Sequence, residues 1–359
     1  MTATIVPVPA GRLYVTLDCG HTSVKTAIVR VEGLWPERER PFLMPTAEVM
    51  EGSVRVSPLL APIPGVDGLQ RGFEGGDTVL GGLQAQIRKQ MEAGGSLARS
   101  IGLPGSKLGL AVSVPAGLRT ALISRLEQEP GLRDVSWCVL SPLDDWPVRN
   151  DYSTPHTVGP DRLAASVGAA ARAASPDALP ILVVTVGTAI TVNLVTPASM
   201  DVSSRSRVEI LQSRENRRPS FQGGAILPGY QAFLRSLSAA APTLAPAIQE
   251  ILAHPDWTTD GFEDLHPTLA GATTPGNLRR GALEGVAGAV AQNLASVESE
   301  VGVEPGTLAV WITGGDADAL HSGLRRMAGV NRRAEVVSDL VLEGLGLTLD
   351  WLLSPARDA

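Results

Sequence analysis

Apolar and polar residues alternate over Leu13–Leu17 and again over Lys25–Val31, with the polar break Asp-Cys-Gly-His-Thr between them. Alternation of period two predicts two strands, and a glycine-centred polar break predicts the hairpin joining them. Residues 32–80 are rich in Pro and Gly and carry no clear period. Beyond them the pattern predicts a helix over Leu80–Ala98, then a buried strand at Leu108–Val114 (LGLAVSV) that ends at Pro115. A helix over Gly117–Glu129 and a strand over Val135–Leu140 follow. The segment SPLDDWPVRNDYSTPHTVGP reads as a long loop. Asp161–Ala174 reads as a helix with small residues on its packing face, and Asp161 sits where a carboxylate favours the helix dipole.

The grammar of the opening stretch returns at Ile181–Val195 (ILVVTVGTAITVNLV): apolar strand, glycine-centred turn with hydroxyls, strand. Aligning Gly20 with Gly187 sets Asp18 opposite Thr185 and suggests a duplication. Arg205–Ser220 is charged without a period and reads as part of an exposed insertion near 197–220. FQGGAILPGYQAFLRSL predicts a Gly-rich turn and then a helix. Asn277–Val301 predicts a long helix with apolar positions at Leu278, Ala282, Val286, Val290, Leu294 and Val297. Its glycines, Gly281, Gly285 and Gly288, lower helix propensity and would permit a close helix approach, within the chain or across a dimer. LAVWITGGDADAL predicts a strand running into a Gly-Gly turn, and SDLVLEGLGLTLDWLL a C-terminal helix.

Composition narrows the function classes. The chain has 359 residues, enough for two packed domains, with 44% hydrophobic and 19% charged residues. Its net charge of −7 argues against nonspecific binding to nucleic acid or an anionic membrane. Aromatics at 4% argue against a stacking platform for single strands. Cys19 and Cys138 have neither metal-site spacing nor the number a disulfide framework needs. The stretch MTATIVPVPAGR lacks a basic start followed by an apolar run, and Leu179–Val195 is interrupted by Gly, Thr and Asn, so neither a signal peptide nor a membrane span is expected. A cytoplasmic location is the default.

Two glycine-hydroxyl hairpins facing each other make a phosphate clamp: turn amides form anion-binding concavities, threonine hydroxyls add donors, and Lys25 adds a point charge. Asp18 beside the first turn suits Mg²⁺, a hard cation. The Gly314–Gly315 turn could admit a nucleobase or ribose. Such parts suit phosphoryl transfer, in which the protein positions groups and neutralises charge. A base near the acceptor hydroxyl is also needed, and Asp161 is the candidate. Singly, each element is an ordinary turn or helix start; order and combination carry the case. The five histidines show no metal spacing.

In that combination the sequence resembles the type III pantothenate kinases, a family within the superfamily of actin, sugar kinases and heat-shock ATPases. LDCGHTSVK resembles the first phosphate motif, Asp-x-Gly-Asn-Thr. AVSVP resembles a Ser-Val-Val-Pro strand end, YSTPHTVGPDR a Tyr…Gly-Ala-Asp-Arg stretch, and TVGTAIT the second phosphate motif, Asp-x-Gly-Thr-Ala-x-Thr. GGAILPG, TPGNLRRGALEG, ITGGDAD and DLVLEGL continue the match in order. The resemblance implies an α/β fold of two similar actin-like (ribonuclease-H-like) domains, with mixed sheets flanked by helices and a cleft between them, here 1–155 and 156–359.

It also implies ATP-dependent phosphorylation of pantothenate to 4′-phosphopantothenate, the first step of coenzyme A synthesis, by a homodimer using ATP, Mg²⁺ and a monovalent cation, K⁺ or NH₄⁺. Carried over, Asp18, Cys19, Gly20, His21, Thr22, Ser23, Val24 and Lys25 would bind the ATP phosphates, with Asp18 near Mg²⁺. Gly187 and Thr188 would touch ATP, as would Gly314 and Gly315. Tyr152, Gly159, Pro160, Asp161, Arg162 and Thr274 would line the pantothenate site, with Asp161 the proton acceptor. The sequence departs from the pattern at His21 (Asn in the family), Pro160 (Ala), the insertion, and Thr185, which replaces the aspartate that binds the monovalent cation. Two other readings stay open: a catalytically weakened homologue that binds nucleotide or pantothenate and regulates, and a kinase of another small hydroxyl compound such as a sugar.

Overall fold

The computed structural model of the protein describes residues 12–20, 24–33, 35, 44, 46–50, 54–56, 76–100, 108–173, 179–198, 218–254, 257–258, 273–327 and 333–354. The chain folds into two compact units. The first comprises Met1–Pro176, Glu215–Ser220 and Leu340–Ala359, and the second Asp177–Arg214 and Phe221–Asp339.

In the first unit β1 (Arg12–Cys19) and β2 (Val24–Glu32) form the antiparallel hairpin expected from their alternation. Then come β3 (Thr46–Val49), β4 (Val54–Val56), helix α1 (Gly76–Ser100), β5 (Gly109–Ser113), α2 (Ala116–Glu127), β6 (Ser136–Val139), the two-residue β7 (Arg149–Asn150) and α3 (Pro160–Arg172). The sheet order is β3-β2-β1-β5-β6, with β4 also on β2. Strands β1, β5 and β6 run parallel. Leu13, Val15 and Leu17 of β1 meet Leu83 and Ile87 of α1 and Leu118, Leu122 and Leu126 of α2 in one apolar core.

The second unit repeats this plan. It contains β8 (Ile181–Val186), β9 (Ala189–Thr196), β10 (Ser220–Pro228), α4 (Tyr230–Ala240), α5 (Ala245–Ala253), α6 (Thr274–Glu300), β11 (Ala309–Gly314), α7 (Ala317–Arg326) and β12 (Ala334–Val336). Its strands order as β10-β9-β8-β11-β12, with β8, β11 and β12 parallel and β9 antiparallel to β8. Over these five strands each, the two sheets therefore share one topology, that of the actin-like fold. Asp18 pairs with Lys25 on β2 and Ser113 on β5. Its counterpart Thr185 pairs with Thr191 on β9 and Thr313 on β11.

Helix α8 (Leu340–Leu353) returns to the first unit and covers the face of β1 and β2 opposite α1. It is buried along most of its length, so it reads as a core helix rather than an amphipathic one. A Cβ on Gly344 would collide with the Ala164 carbonyl oxygen, one on Gly168 with the Leu340 carbonyl oxygen, and one on Gly346 would come within 2.9 Å of Val29. Small residues thus bring the α3 and α8 backbones together and press α8 onto the sheet. Two buried carboxylates of α8 are paired: Glu343 accepts from Arg172, with Nε at 2.8 Å, and Asp350 accepts from Tyr14 and from Trp35 Nε1 at 2.7 Å and forms an ion pair with Arg12, Nε at 2.6 Å.

Several expectations change. The units do not run 1–155 and 156–359, because the α3–α8 contact holds both helices in the first unit. FQGGAILP is strand β10, not a turn. Gly223 (φ 81°) and Gly224 (φ 153°) bend it, and Gly224 lies where any side chain would strike the Val192 carbonyl of β9. Residues 199–217 of the insertion lie outside the described residues; at its end Ser220 is fully buried rather than exposed. The short strands β3, β4 and β12 and helix α5 were not anticipated. Gly281 and Gly285 of α6 have nothing within 4 Å of an added Cβ, so no close approach within the described chain uses them.

Gly344→Ala is expected to lower the unfolding free energy by about 1–3 kcal/mol, the usual range for overpacking, since the obstacle is backbone rather than a movable side chain. Urea denaturation measures it; an unchanged midpoint would show that α3 and α8 are free to separate.

Candidate active site

Asp18 sits at the end of β1, opposite Lys25 and Ser113. Its half-buried carboxyl accepts a hydrogen bond from the Ser113 hydroxyl and feels the charge of Asp161. Burial first, and Asp161 second, push it up to about 7, against the opposing pull of Lys25 and Ser113. Burial and Asp18 push the neighbouring Cys19 thiol up to about 12, which keeps it protonated and inert. Gly20 is exposed, Val24 is buried, and His21, Thr22 and Ser23 lie outside the described residues.

Asp161 enters from α3. Gly159 caps the helix in an extended conformation, and Pro160 occupies its first turn, where a missing N–H removes nothing. The Asp161 carboxylate folds back over Gly159 into the space a Cβ would fill. Glycine at 159 therefore sets where this carboxylate can be. Arg162 is buried, at 6% exposure, and desolvation lowers its affinity for its proton. Its guanidinium lies 5.8 Å from the centre of the Tyr152 ring and hydrogen-bonds the phenol. The loop bearing Tyr152 is stapled by Asn150, whose amide donates to Pro142 O (3.3 Å) and Pro155 O (3.2 Å) and whose oxygen accepts from the Tyr152 N–H (3.4 Å). The structure thus brings together Asp18, Lys25, Asp161, Arg162 and Tyr152 within the first unit. Ser113 belongs with them although the sequence reading did not name it as a site residue. Its signal was the AVSVP strand end, whose last strand residue lies level with Asp18 across the sheet.

Gly187, Thr188, Gly314 and Gly315 lie in the second unit. The β8–β9 bend closes with Gly187 N–H to Ala189 O at 3.1 Å. Gly229 donates to Thr188 O at 2.9 Å, and a Cβ there would strike the Gly187 carbonyl. Gly314 has φ 118° and is pressed against the Val186 backbone. Three glycine positions on β8, β10–α4 and β11 thus converge on one exposed bend. Thr274 is exposed at the start of α6, next to Thr273, whose hydroxyl caps Gly276 N–H at 3.2 Å.

The donor sets differ between the two ends of the duplication. Asp18 offers one hard carboxylate next to a hydroxyl, which fits Mg²⁺, an ion commonly held by one or two carboxylates with substrate phosphates supplying other oxygens. Among the described residues no three His, Cys, Asp or Glu side chains gather as a self-sufficient metal cage. At Thr185 the hydroxyl is 2.6 Å from the Thr191 hydroxyl, which is also 2.9 Å from the Asn193 amide nitrogen. These neutral groups bond one another and do not fit the anionic cation site of the resembling motif.

Two sheets of one order, each opened by an antiparallel hairpin, define an α/β protein of the actin-like class, which includes ATP-dependent kinases. A profile of type III pantothenate kinases matches residues 87–200. A type III pantothenate kinase from Verminephrobacter eiseniae is 30% identical over 245 residues, which cover 67% of this chain and 76% of the relative. One from Acidovorax ebreus is 29% identical over 228 residues, 63% of this chain and 70% of the relative. The chain belongs to the type III pantothenate kinase family. No helix among the described residues is long and apolar enough to cross a membrane.

Asp18→Asn is expected to stabilise the ligand-free protein in a pH-dependent way. A carboxyl raised from 3.8 to about 7 on folding loses stability as pH rises across that window, because the unfolded chain releases the proton first. The variant should therefore gain most above pH 7, with the gain shrinking toward pH 4. Thermal melts across this range check it; a gain independent of pH would refute the raised titration.

Proposed function

We propose that the protein transfers the γ-phosphoryl group of ATP to the primary hydroxyl of pantothenate. The observation that supports this best is the Asp161 carboxylate within electrostatic reach of Asp18, followed by buried Arg162, whose guanidinium meets the half-buried Tyr152. In this reading Asp161 accepts the proton of the acceptor hydroxyl as its oxygen attacks the γ-phosphorus and ADP leaves. Arg162, desolvated and cationic, holds the pantothenate carboxylate, and Tyr152 and Thr274 contact the remainder. Lys25 and the backbone amides of Gly20 and Gly187 contact the triphosphate, while the Gly314–Gly315 turn admits the nucleoside. Bound Mg²⁺ would be held by Asp18 and would neutralise phosphate charge. No step is assigned to a monovalent cation. The protein works in the cytoplasm as a homodimer, with the glycine-bearing face of α6 a candidate contact.

A second reading, a weakened homologue that binds nucleotide or pantothenate and regulates, is motivated by the hydroxyl pair Thr185–Thr191 where the family motif carries an aspartate. A coupled assay with ATP, Mg²⁺ and pantothenate separates the two. ADP release that requires pantothenate supports the kinase; release without that requirement, or none, supports the other reading.

Asp161→Asn should lower kcat by about 10²–10⁴-fold, the typical contribution of a general base, and leave nucleotide binding intact. Wild-type turnover in that variant would remove the base assignment. Wild-type activity should respond little to potassium, and Thr185→Asp should create a potassium response by adding a carboxylate. Equal potassium curves for the two proteins would count against this account of the site.

A further inference from the structure

The acceptor loop, residues 141–158, is gripped by three consecutive residues from a distant part of the chain. Arg218, Pro219 and Ser220 lead into β10 and belong to the first unit. Arg218 Nη1 donates to Asp145 Oδ1 at 2.5 Å and to Trp146 O at 2.7 Å, and its guanidinium lies 5.8 Å from the Trp351 ring centre. Trp351 Nε1 in turn donates to Asp145 Oδ2 at 3.2 Å. Pro219 O accepts from the Arg149 N–H at 2.8 Å. The Ser220 hydroxyl donates to the Asp151 carboxylate, which also pairs with Arg149 Nη2 at 2.6 Å.

Ser220 is fully buried, so its hydroxyl has no water to turn to and its donation to a carboxylate is a strong, directional tie. Asp151 is the residue immediately before Tyr152. On its other side Tyr152 meets Arg162, and its N–H is held by Asn150. The Ser220–Asp151 tie thus holds the chain just before Tyr152, while the guanidinium at the start of α3 holds its ring. The geometry points to Ser220 and Asp151 as positioning residues of the acceptor site. Segment 218–220 acts as a strap that orients Tyr152 toward Arg162, although neither Ser220 nor Asp151 touches the reacting atoms. This assignment rests on the reading of Tyr152 and Arg162 as the pantothenate wall.

Steady-state kinetics on the full chain test it. Ser220→Ala should raise the KM for pantothenate about tenfold, the scale of one lost charge-assisted hydrogen bond, with the KM for ATP unchanged. Asp151→Ala should do the same from the other side. Asp151→Asn, which keeps an oxygen acceptor for Ser220, should remain within about twofold of wild type, because the ion pair it loses with Arg149 is partly exposed. A lowered melting temperature with an unchanged pantothenate KM would overturn the assignment and leave the strap a structural tie. If the wild-type protein shows no pantothenate-dependent turnover, the functional reading fails, and hydrogen exchange then judges the strap. Faster exchange of the amides between Tyr152 and Val158 in Ser220→Ala supports it, and exchange equal to wild type overturns it.

Discussion

Two carboxyls placed within electrostatic reach of each other, Asp18 and Asp161, are the constraint on which the rest of the site turns. Left in water they would separate. Here one is anchored at a strand end and the other at a helix start, and the contacts that hold them are strong. The sheet register fixes Asp18 beside Lys25 and Ser113. Helix α3 is seated on α8, its Ala164 and Gly168 meeting Gly344 and Leu340 backbone to backbone. Proteins accept such tension where function requires it, and the titration of Asp18, raised first by burial and second by Asp161, is its signature. A cation at Asp18 would relieve that repulsion and favour the ionised form.

The duplication clarifies what is specific to this chain. Both units use the same strand order over five strands, and each opens with an antiparallel hairpin. In the first, the three register-matched positions are Asp18, Lys25 and Ser113; in the second they are Thr185, Thr191 and Thr313. One copy thus carries charge and the other carries hydroxyls, with Thr185 and Thr191 bonded to each other and Thr313 donating to Ser338 O. The second copy retains the close backbone packing of Gly187, Gly229 and Gly314, which is a matter of shape rather than charge.

Much of this was legible in the sequence because it rests on local pattern. Period-two alternation located both hairpins, the small-residue run after Asp161 located α3, and the match between LDCGHTSVK and TVGTAIT anticipated a shared register. What was missed depends on partners far along the chain. The glycines of β10 look like a turn, and only their packing against Val192 of β9 makes them a bent strand. Helix α8 lies at the C-terminal end of the chain yet belongs to the first unit, which no local signal reveals. Ser113 and Ser220 are ordinary serines until the fold brings each beside a carboxylate.

The most direct test of the central claim is a crystal structure of the protein with pantothenate, Mg²⁺ and a non-hydrolysable ATP analogue. The account predicts the primary hydroxyl of pantothenate about 3 Å from the Asp161 carboxylate and in line with the γ-phosphorus. A hydroxyl held by another group, with Asp161 turned away from it, would contradict the account.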